Sequence, residues 1–317
     1  MVFKQVNINA FVRATAICFV VANHASGLKL AGGMNFLLLL SGYNLAYFLF
    51  DKSSVQIVKS FFITVAKIVI PCMGLVVLNF IYFNTFQWQE FFMVSYAFKV
   101  KAVSNFPIWY PQVLMQMALI ITPLILIFNF SKHVAKYPVL VCLLCLIVSL
   151  TINILSEKQY PWGREAHLYL WNFTLGWALW AVLKVKNFKN CLAATAIVLI
   201  TAYLVLLLNT NGSYDPILRF IIFISISLFF IWFQVIKLPY MLAILVYLIS
   251  SATFYIFLFH MILFELFYYL TELDNATFNL DLPLKCIFAV VISVLLWATV
   301  SAGRKGFYSV QQARKSN

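Results

Sequence analysis

Long apolar runs separated by short polar breaks follow one another along almost the whole chain. Several of these runs reach the roughly 20 residues that a helix needs to cross a hydrocarbon core. The alternation of apolar and polar positions over about ten residues that marks a barrel strand is absent. The pattern therefore predicts an all-α, polytopic transmembrane helix bundle of about ten helices, with residues 1–317 forming one membrane-embedded domain and no soluble appendage.

The apolar runs and their polar breaks predict ten spans, at 10–28, 33–50, 60–83, 112–130, 138–155, 167–183, 191–209, 217–236, 250–270 and 283–302. The stretch from Leu238 to Ile249 is also apolar. It either lengthens the ninth span or forms a short re-entrant piece, which would make eleven elements. The longest loop follows the third span, and a short amphipathic helix is expected in it around Glu90–Lys101.

The distribution of charge predicts the orientation of these spans. Only 10% of the residues are charged and 64% are hydrophobic, whereas a soluble domain usually has about 25% charged residues. With the N-terminus inside, the inner loops and the C-terminal tail hold most of the basic residues, and the outer loops hold most of the acidic ones. The positive-inside rule then predicts that both termini are cytoplasmic.

The formal net charge of +13 comes from small basic clusters that lie between the apolar runs. Such clusters are typical of loops near anionic lipid head groups rather than of a nucleic-acid-binding surface. We therefore expect a multi-pass protein of the cell inner (plasma) membrane, with membrane lipids as partners and no nucleic acid.

Two ionisable side chains, Arg13 and His24, lie within the first apolar run. Ionisable residues inside a bilayer are costly and mark functional sites by default. Eleven steps of about 100° bring both side chains to nearly one face of a helix, and eleven rises place them roughly 16 Å apart along its axis. The spacing predicts a cation near the cytoplasmic mouth and an imidazole further in. The alternative is an arginine that snorkels to head groups and a histidine that hydrogen-bonds between helices.

Several stretches resemble the acyltransferase-3 family, and they occur in the family's order. The run RATAICFVVANH at 13–24 is similar to its signature, an Arg and a His separated by ten residues. The run GMNFLLLLSGY at 33–43 resembles its second helix, which ends in Ser-Gly-aromatic, and TFYIFLFH at 253–260 resembles its late helix, which closes on His. The aromatic pair at 109–110 is similar to one found before the fourth span in many members.

The chain also departs from the family's pattern. It has Ala10 where members often have an acidic residue three positions before the Arg. Asn35 stands in place of the usual Asp of the second-helix run, and Leu37-Leu38 replaces its Phe pair. These departures concern a carboxylate that would orient the first-helix Arg and His, and they leave that pair itself in place.

The resemblance implies an enzyme, an acyltransferase that moves an acyl group, usually acetyl from acetyl-CoA, to a hydroxyl of a cell-surface or lipid-linked carbohydrate. His24 is then the general base, because imidazole is suited to proton transfer near neutral pH. Arg13 is the second catalytic residue and offers a planar fork to a phosphate of acetyl-CoA. Lys67 either adds charge there or snorkels. Acetyl-CoA is the acyl donor, and neither a tightly bound cofactor nor a metal site is expected.

Six further residues are expected to bind substrate or to support the site: Ser41, Tyr43, Trp109, Tyr110, His260 and Glu265. The Ser-Gly pair that begins at Ser41 alternatively serves close helix packing. His260 either contacts the first-helix site or bonds a neighbouring helix. Because Glu265 follows His260 by five residues, the two side chains point about 140° apart and cannot both face one pocket on a regular helix.

A few polar residues and two other functions complete the expectations. Arg164, Glu165, His167 and Arg219 are expected at the outer face, where they either touch a glycan acceptor or form a solvated rim. The alternative function is a transporter or flippase of a glycan precursor, since intramembrane Arg and His also mark transport pathways. Transporters often contain internal repeats, and none is found in this sequence. A polysaccharide polymerase is a third interpretation.

Overall fold

The structure is a computed structural model that describes residues 2–26, 32–83, 87–95, 109–157, 166–208, 216–271 and 278–315. Helices dominate it, because a backbone in hydrocarbon must satisfy its polar groups within its own segment. In chain order the elements are β1 (Phe3–Asn7), α1 (Ile8–Ser26), α2 (Gly32–Leu49), α3 (Ser54–Phe83), α4 (Trp88–Phe91), α5 (Trp109–Ile127), α6 (Phe130–Lys136), α7 (Pro138–Glu157), α8 (Ala166–Leu183), α9 (Phe188–Leu208), α10 (Pro216–Trp232), β2 (Val235–Pro239), α11 (Tyr240–Thr271) and α12 (Phe278–Lys315).

Each of the ten predicted spans corresponds to a helix in the structure. Among the described residues, seven helices are long and apolar enough to cross a membrane, namely α1, α3, α5, α7, α9, α11 and α12. A shorter apolar helix is α10, and α2 and α8 are apolar helices that contain a few Asn, Ser, Thr, Tyr and His side chains. The predicted all-α, multi-pass membrane bundle is thus confirmed, while the count of ten crossings and the side of the termini stay predictions.

Helices α2 and α8 form the centre of the bundle. They pack against each other, α2 also packs against α1 and α10, and α8 also packs against α7 and α9. Residues 32–40 of α2 and 170–181 of α8 are all buried. A helix that other helices surround has no lipid-facing side, so both can carry Asn, Ser and Thr side chains.

Glycines bring the backbones of α2 and α8 together. A β-carbon on Gly42 would collide with the carbonyl oxygen of Phe173, and one on Gly176 would collide with that of Leu39. The Ser-Gly pair of the second helix therefore serves close packing, as small residues do between membrane helices. This finding confirms the packing alternative for Gly42 and says nothing against a role for the neighbouring Ser41.

The peripheral helices present apolar side chains outward. Exposed aliphatic residues follow one face of α3, α7, α9 and α12, for example Ile63, Ile70, Leu144, Ile147, Leu192, Leu199, Ile287 and Leu295. Apolar surface of this extent is not left in water by a soluble monomer. Lipid chains are therefore the environment that these helices fit.

A two-stranded antiparallel sheet, which the sequence patterns did not predict, ties two helices together at their starts. Strands β1 and β2 pair from Phe3 opposite Pro239 to Asn7 opposite Val235. Each strand leads directly into a helix, β1 into α1 and β2 into α11, and these two helices pack against each other. We call this end of the bundle the strand end and the opposite end the loop end.

Two local expectations are settled in part. The apolar stretch from Leu238 belongs to the end of β2 and the start of α11, so it lengthens the ninth helix rather than forming an eleventh element. Of the amphipathic helix expected around Glu90–Lys101, the structure shows the single turn α4, Trp88–Phe91. Residues 96–101 lie outside the described part of the chain.

The contact between α2 and α8 predicts that Gly→Ala substitutions there reduce stability more than a Gly→Ala substitution elsewhere in the bundle. Gly42→Ala and Gly176→Ala should each destabilise the protein by about 1–3 kcal/mol, because the added methyl group forces packed backbones apart. The matched control is Gly74→Ala on α3, where a β-carbon meets no atom within 4 Å. Purified variants heated in detergent and assayed for monodisperse protein would show the difference. Equal melting of Gly74→Ala and Gly176→Ala would contradict this account of the packing.

Candidate active site

Helix α1 carries the predicted Arg13 and His24, but the imidazole is exposed near the end of the helix rather than enclosed further in, as the spacing predicted. Arg13 lies six residues inside the strand end and is partly buried, whereas His24 lies near the loop end and is exposed. The three turns between them correspond to roughly 16 Å along the helix axis. The two residues therefore sit near opposite ends of one helix.

Around Arg13 the structure places a short chain of amides. The Arg13 Nη2 donates to Asn9 Oδ1 at 3.3 Å, and Asn9 Nδ2 donates to Asn44 Oδ1 at 3.0 Å. Asn9 precedes Arg13 by one helical turn, and Asn44 lies on α2. The amides hold one edge of the guanidinium and connect it to α2.

Arg13 also lies close enough to Tyr110 for an electrostatic interaction with its hydroxyl. The Tyr110 hydroxyl is 3.0 Å from Ser41 Oγ. Because the single proton of Ser41 is donated to the carbonyl oxygen of Leu37 at 2.8 Å, Tyr110 must be the donor in this pair. The structure thus brings three predicted residues from α1, α2 and α5 together.

At the loop end, His24 lies beside the predicted His260. Their ring centroids are 5.1 Å apart, with the rings tilted by 58°. His260 is fully buried, and its Nδ1 is 2.8 Å from the carbonyl oxygen of Phe257 and 3.1 Å from that of Ile256. Carbonyl oxygens only accept, so Nδ1 carries the proton and Nε2 carries the lone pair.

That lone pair is unused. His260 Nε2 is buried and has no hydrogen-bond partner among the residues that the structure describes. Buried polar atoms are nearly always satisfied, and His260 Nε2 is one of several exceptions among the described residues, as are Asn153 Oδ1 and Trp177 Nε1. The contact with His24 settles the first of the two interpretations of His260, since its ring does reach the first-helix site.

One aromatic ring joins the two clusters. Phe257 contacts Tyr110 at a centroid distance of 5.2 Å and His260 at 6.1 Å. We call Arg13, Ser41, Tyr110, His260 and His24 together the polar line. Polar contact along it is interrupted at Phe257, so among the described residues the line is two polar groups connected by an apolar ring.

The remaining predicted residues lie beside this line or away from it. Trp109 is half-buried and packs against Tyr169 at 5.5 Å, next to Tyr110 in the chain. Tyr43 points away from Ser41 and packs edge-on against Phe230 at 4.8 Å.

Lys67 and Glu265 are not brought to the polar line. Lys67 is exposed on α3, which packs mainly against α5 rather than α1. Its position agrees with the snorkelling alternative. Glu265 is exposed while His260 on the same helix is buried, so the predicted divergence of these two side chains is observed.

Of the residues expected at the outer face, Arg164 and Glu165 lie outside the described residues. Arg219 is partly buried rather than fully solvated, and its Nε donates to Asn35 Oδ1 at 3.2 Å. Asn35 Nδ2 in turn donates to the buried Asn172 Oδ1 at 3.2 Å. The Asn that replaces the family's usual Asp therefore links α10 to α8 through α2.

Sequence reasoning missed Lys285, which is buried near the start of α12. Its Nζ donates to the Tyr268 hydroxyl at 2.6 Å and lies 4.2 Å from the centre of that ring and 4.7 Å from the centre of Phe264. Phe264 also packs edge-on against His260 at 5.6 Å. A lysine at the edge of an apolar run reads as a snorkelling residue, and only the fold shows that this one is enclosed.

A cleft of about 630 Å³ opens at the strand end. We call it the strand-end cleft. The ends of α1, α2, α8 and α10 line it with Asn7, Ile8, Asn9, Tyr43, Asn44, Tyr47, Phe48, Leu183, Lys184, Lys186, Phe230 and Gln234. Since Asn9 and Asn44 line the cleft and Asn9 bonds Arg13, the cleft leads to one end of the polar line.

No protein-family model matches this chain, and searches of curated proteins and of solved structures found no similar protein. The resemblance to the acyltransferase-3 family therefore stays a prediction. The geometry of the polar line and the strand-end cleft is what a functional proposal has to explain.

The enclosure of Lys285 predicts a stability difference between two adjacent tyrosines. Tyr268→Phe should destabilise the protein by about 1–3 kcal/mol, because a buried ammonium loses its oxygen acceptor while the ring contact stays. Tyr269→Phe is the matched control, since Tyr269 is 82% exposed, and it should change stability by less than about 0.5 kcal/mol. Thermal unfolding in detergent measures both. Indistinguishable variants would mean that the Lys285–Tyr268 bond contributes nothing to stability.

Proposed function

We propose that this protein is a membrane O-acyltransferase that transfers an acetyl group from acetyl-CoA to a hydroxyl of a cell-surface or lipid-linked carbohydrate. The polar line is the observation that supports the proposal most. It aligns a guanidinium near one end of the bundle with a pair of imidazoles near the other. That is the order of groups expected of an enzyme that receives an anionic donor on one side and an alcohol on the other.

The distribution of charge supports assigning the strand end to the cytoplasm. Loops that are distant in sequence meet there, since Lys184 lies 3.4 Å from Asp51 and Ser54 Oγ lies 3.0 Å from Ser131 Oγ. These loops carry lysines, among them Lys52, Lys132, Lys136, Lys184, Lys186, Lys189 and Lys237. By the positive-inside rule such an end faces the cytoplasm, where acetyl-CoA is made.

In the proposed reaction, the acceptor hydroxyl oxygen attacks the carbonyl carbon of the thioester while His24 takes the hydroxyl proton. The tetrahedral intermediate then breaks its C–S bond and leaves the acetyl ester. The CoA thiolate leaves with the electron pair of that bond and takes the proton back from His24. His24 suits the part of base because it is exposed at the loop end, where a hydroxyl can reach it.

His260 has a positioning part in this proposal. Its Nδ1 proton is held by two backbone carbonyls, so its Nε2 can only accept. An N–H of His24 that turns toward this lone pair leaves the other His24 nitrogen unprotonated and aimed at the substrate. A base held in one tautomer by a second group is a recurrent arrangement in acyl transfer.

Arg13 serves the donor. Asn9, which lines the strand-end cleft, fixes one edge of the Arg13 guanidinium. A fixed guanidinium with remaining free donor positions favours a carbonyl or phosphate oxygen. Tyr110 lies beside it, with its own proton directed to Ser41.

His24→Ala should lower acetyl transfer by about 10²–10⁴-fold, the range expected for loss of a general base. Purified protein with labelled acetyl-CoA and a glycan acceptor measures the transfer. The control is His133→Ala, because His133 is exposed on α6 and outside the polar line. Unchanged acetylation in the His24 variant would rule out this base, and transport of a glycan without acetylation would support the flippase alternative.

Arg13→Ala should raise the KM for acetyl-CoA by about tenfold to a hundredfold, since hydrogen bonds from charged groups contribute about 1.5–3 kcal/mol. Arg13→Lys keeps the charge without the planar fork, so its KM for acetyl-CoA should lie between those of the natural protein and Arg13→Ala. Lys59→Ala on the exposed part of α3 is the control. A KM that does not change in Arg13→Ala would mean that the donor does not contact this guanidinium.

A further inference from the structure

The strand-end cleft combines cations, stacked aromatic rings and side-chain amides in one cavity of about 630 Å³. We propose that it binds a nucleotide, whose phosphates contact Lys184 and Lys186 and whose planar base lies against Tyr43 and Tyr47. If the proposed function is right, this nucleotide is the adenosine diphosphate end of CoA. The binding site itself is argued from the cleft alone.

The two lysines are available to an anion. Lys184 is exposed and lies 3.4 Å from the exposed Asp51 and 5.3 Å from the centre of the Trp180 ring. Exposed ion pairs of this kind contribute little, so a phosphate can draw the ammonium into the cleft.

Lys186 is held differently. Its Nζ donates to the carbonyl oxygen of Phe233, and partial burial lowers the pKa of Lys186. An anion beside this ammonium would favour its charged form. The cleft thus has one exposed and one partly buried cation just after the end of α8.

The aromatic wall is formed by α2. Tyr43 and Tyr47 are one helical turn apart, with ring centroids 6.3 Å apart and planes within 13° of parallel. Tyr43 is fixed by its contact with Phe230, whereas Tyr47 is exposed. Bases stack on such rings whatever their identity. An anionic lipid head group could bind the lysines, but it has no planar ring to stack on the tyrosines. The aromatic wall therefore favours a nucleotide.

The amides connect the cleft to the polar line. Asn44 and Asn9 line the cleft and bond each other, and Asn9 accepts from Arg13. A nucleotide whose phosphates lie at the lysines would direct any attached chain toward this amide pair. Arg13 would then bind the inner part of the donor rather than its phosphates, which refines the role that the family resemblance implies for it.

The test measures binding of ADP and of CoA to the full-length protein in phosphatidylcholine nanodiscs, with no acceptor present. Lys184→Gln/Lys186→Gln should weaken both by at least about tenfold, and Tyr47→Ala by about tenfold. The matched control is Lys189→Gln, because Lys189 is exposed three residues beyond Lys186 and does not line the cleft. It should bind both probes like the natural protein.

The outcomes separate the cleft from the enzyme. Equal ADP affinity in the double lysine variant and the natural protein would overturn the nucleotide site, as would loss of ADP binding when phosphatidylglycerol is added to the nanodiscs. If Lys184→Gln/Lys186→Gln and Tyr47→Ala transfer acetyl groups with an unchanged KM for acetyl-CoA, the nucleotide site in the cleft is overturned and the proposed function stands. If the same variants weaken ADP and CoA binding but the natural protein transfers no acetyl group, the nucleotide site is supported and the acyltransferase proposal is overturned.

Discussion

Backbone atoms of α2 and α8 approach each other at Gly42 and Gly176 more closely than side chains would allow. This contact fixes the position of α2, and α2 supplies groups to the part of the polar line around Tyr110 and to the strand-end cleft. Ser41 faces Tyr110 on α5, Asn44 faces α1, and Tyr43 faces α10 and the strand-end cleft. Three neighbouring residues can serve three different helices because α1, α8 and α10 pack around the helix that carries them.

Enclosure also explains why polar residues occur in pairs at the centre of this bundle. A buried polar group without a partner costs free energy, and in hydrocarbon water cannot replace the partner. Asn35 therefore meets Asn172, Asn9 meets Asn44, and other hydroxyls bond backbone carbonyls of their own helix. The Nε2 of His260 is one of several buried polar atoms that have no hydrogen-bond partner among the described residues, and its ring is held on the other side by two backbone carbonyls.

The sequence was sufficient for the features that depend on local periodicity. Apolar runs predicted ten helices, and the eleven-residue spacing of Arg13 and His24 predicted their shared face. Features formed by distant parts of the chain could not be predicted from the sequence. The pairing of Phe3 with Pro239 joins segments more than 200 residues apart, each only five residues long. The contact of His24 with His260 and the burial of Lys285 likewise depend on how α1, α11 and α12 pack, which no spacing within one helix encodes.

The surroundings of Ser41 bear on how an acyl group would cross the bundle in the proposed reaction. Its proton is donated to the carbonyl oxygen of Leu37, and the group facing it is the Tyr110 hydroxyl, which donates. Neither is a base, and the imidazoles lie beyond Phe257. A serine without a base is a poor nucleophile, so this arrangement favours direct transfer over an acyl-enzyme at Ser41. Direct transfer requires the thioester itself to approach His24, about 22 Å along α1 from Asn9. In the proposed reaction, a donor that enters at the strand-end cleft must therefore move past Arg13 and Tyr110 before its thioester meets His24.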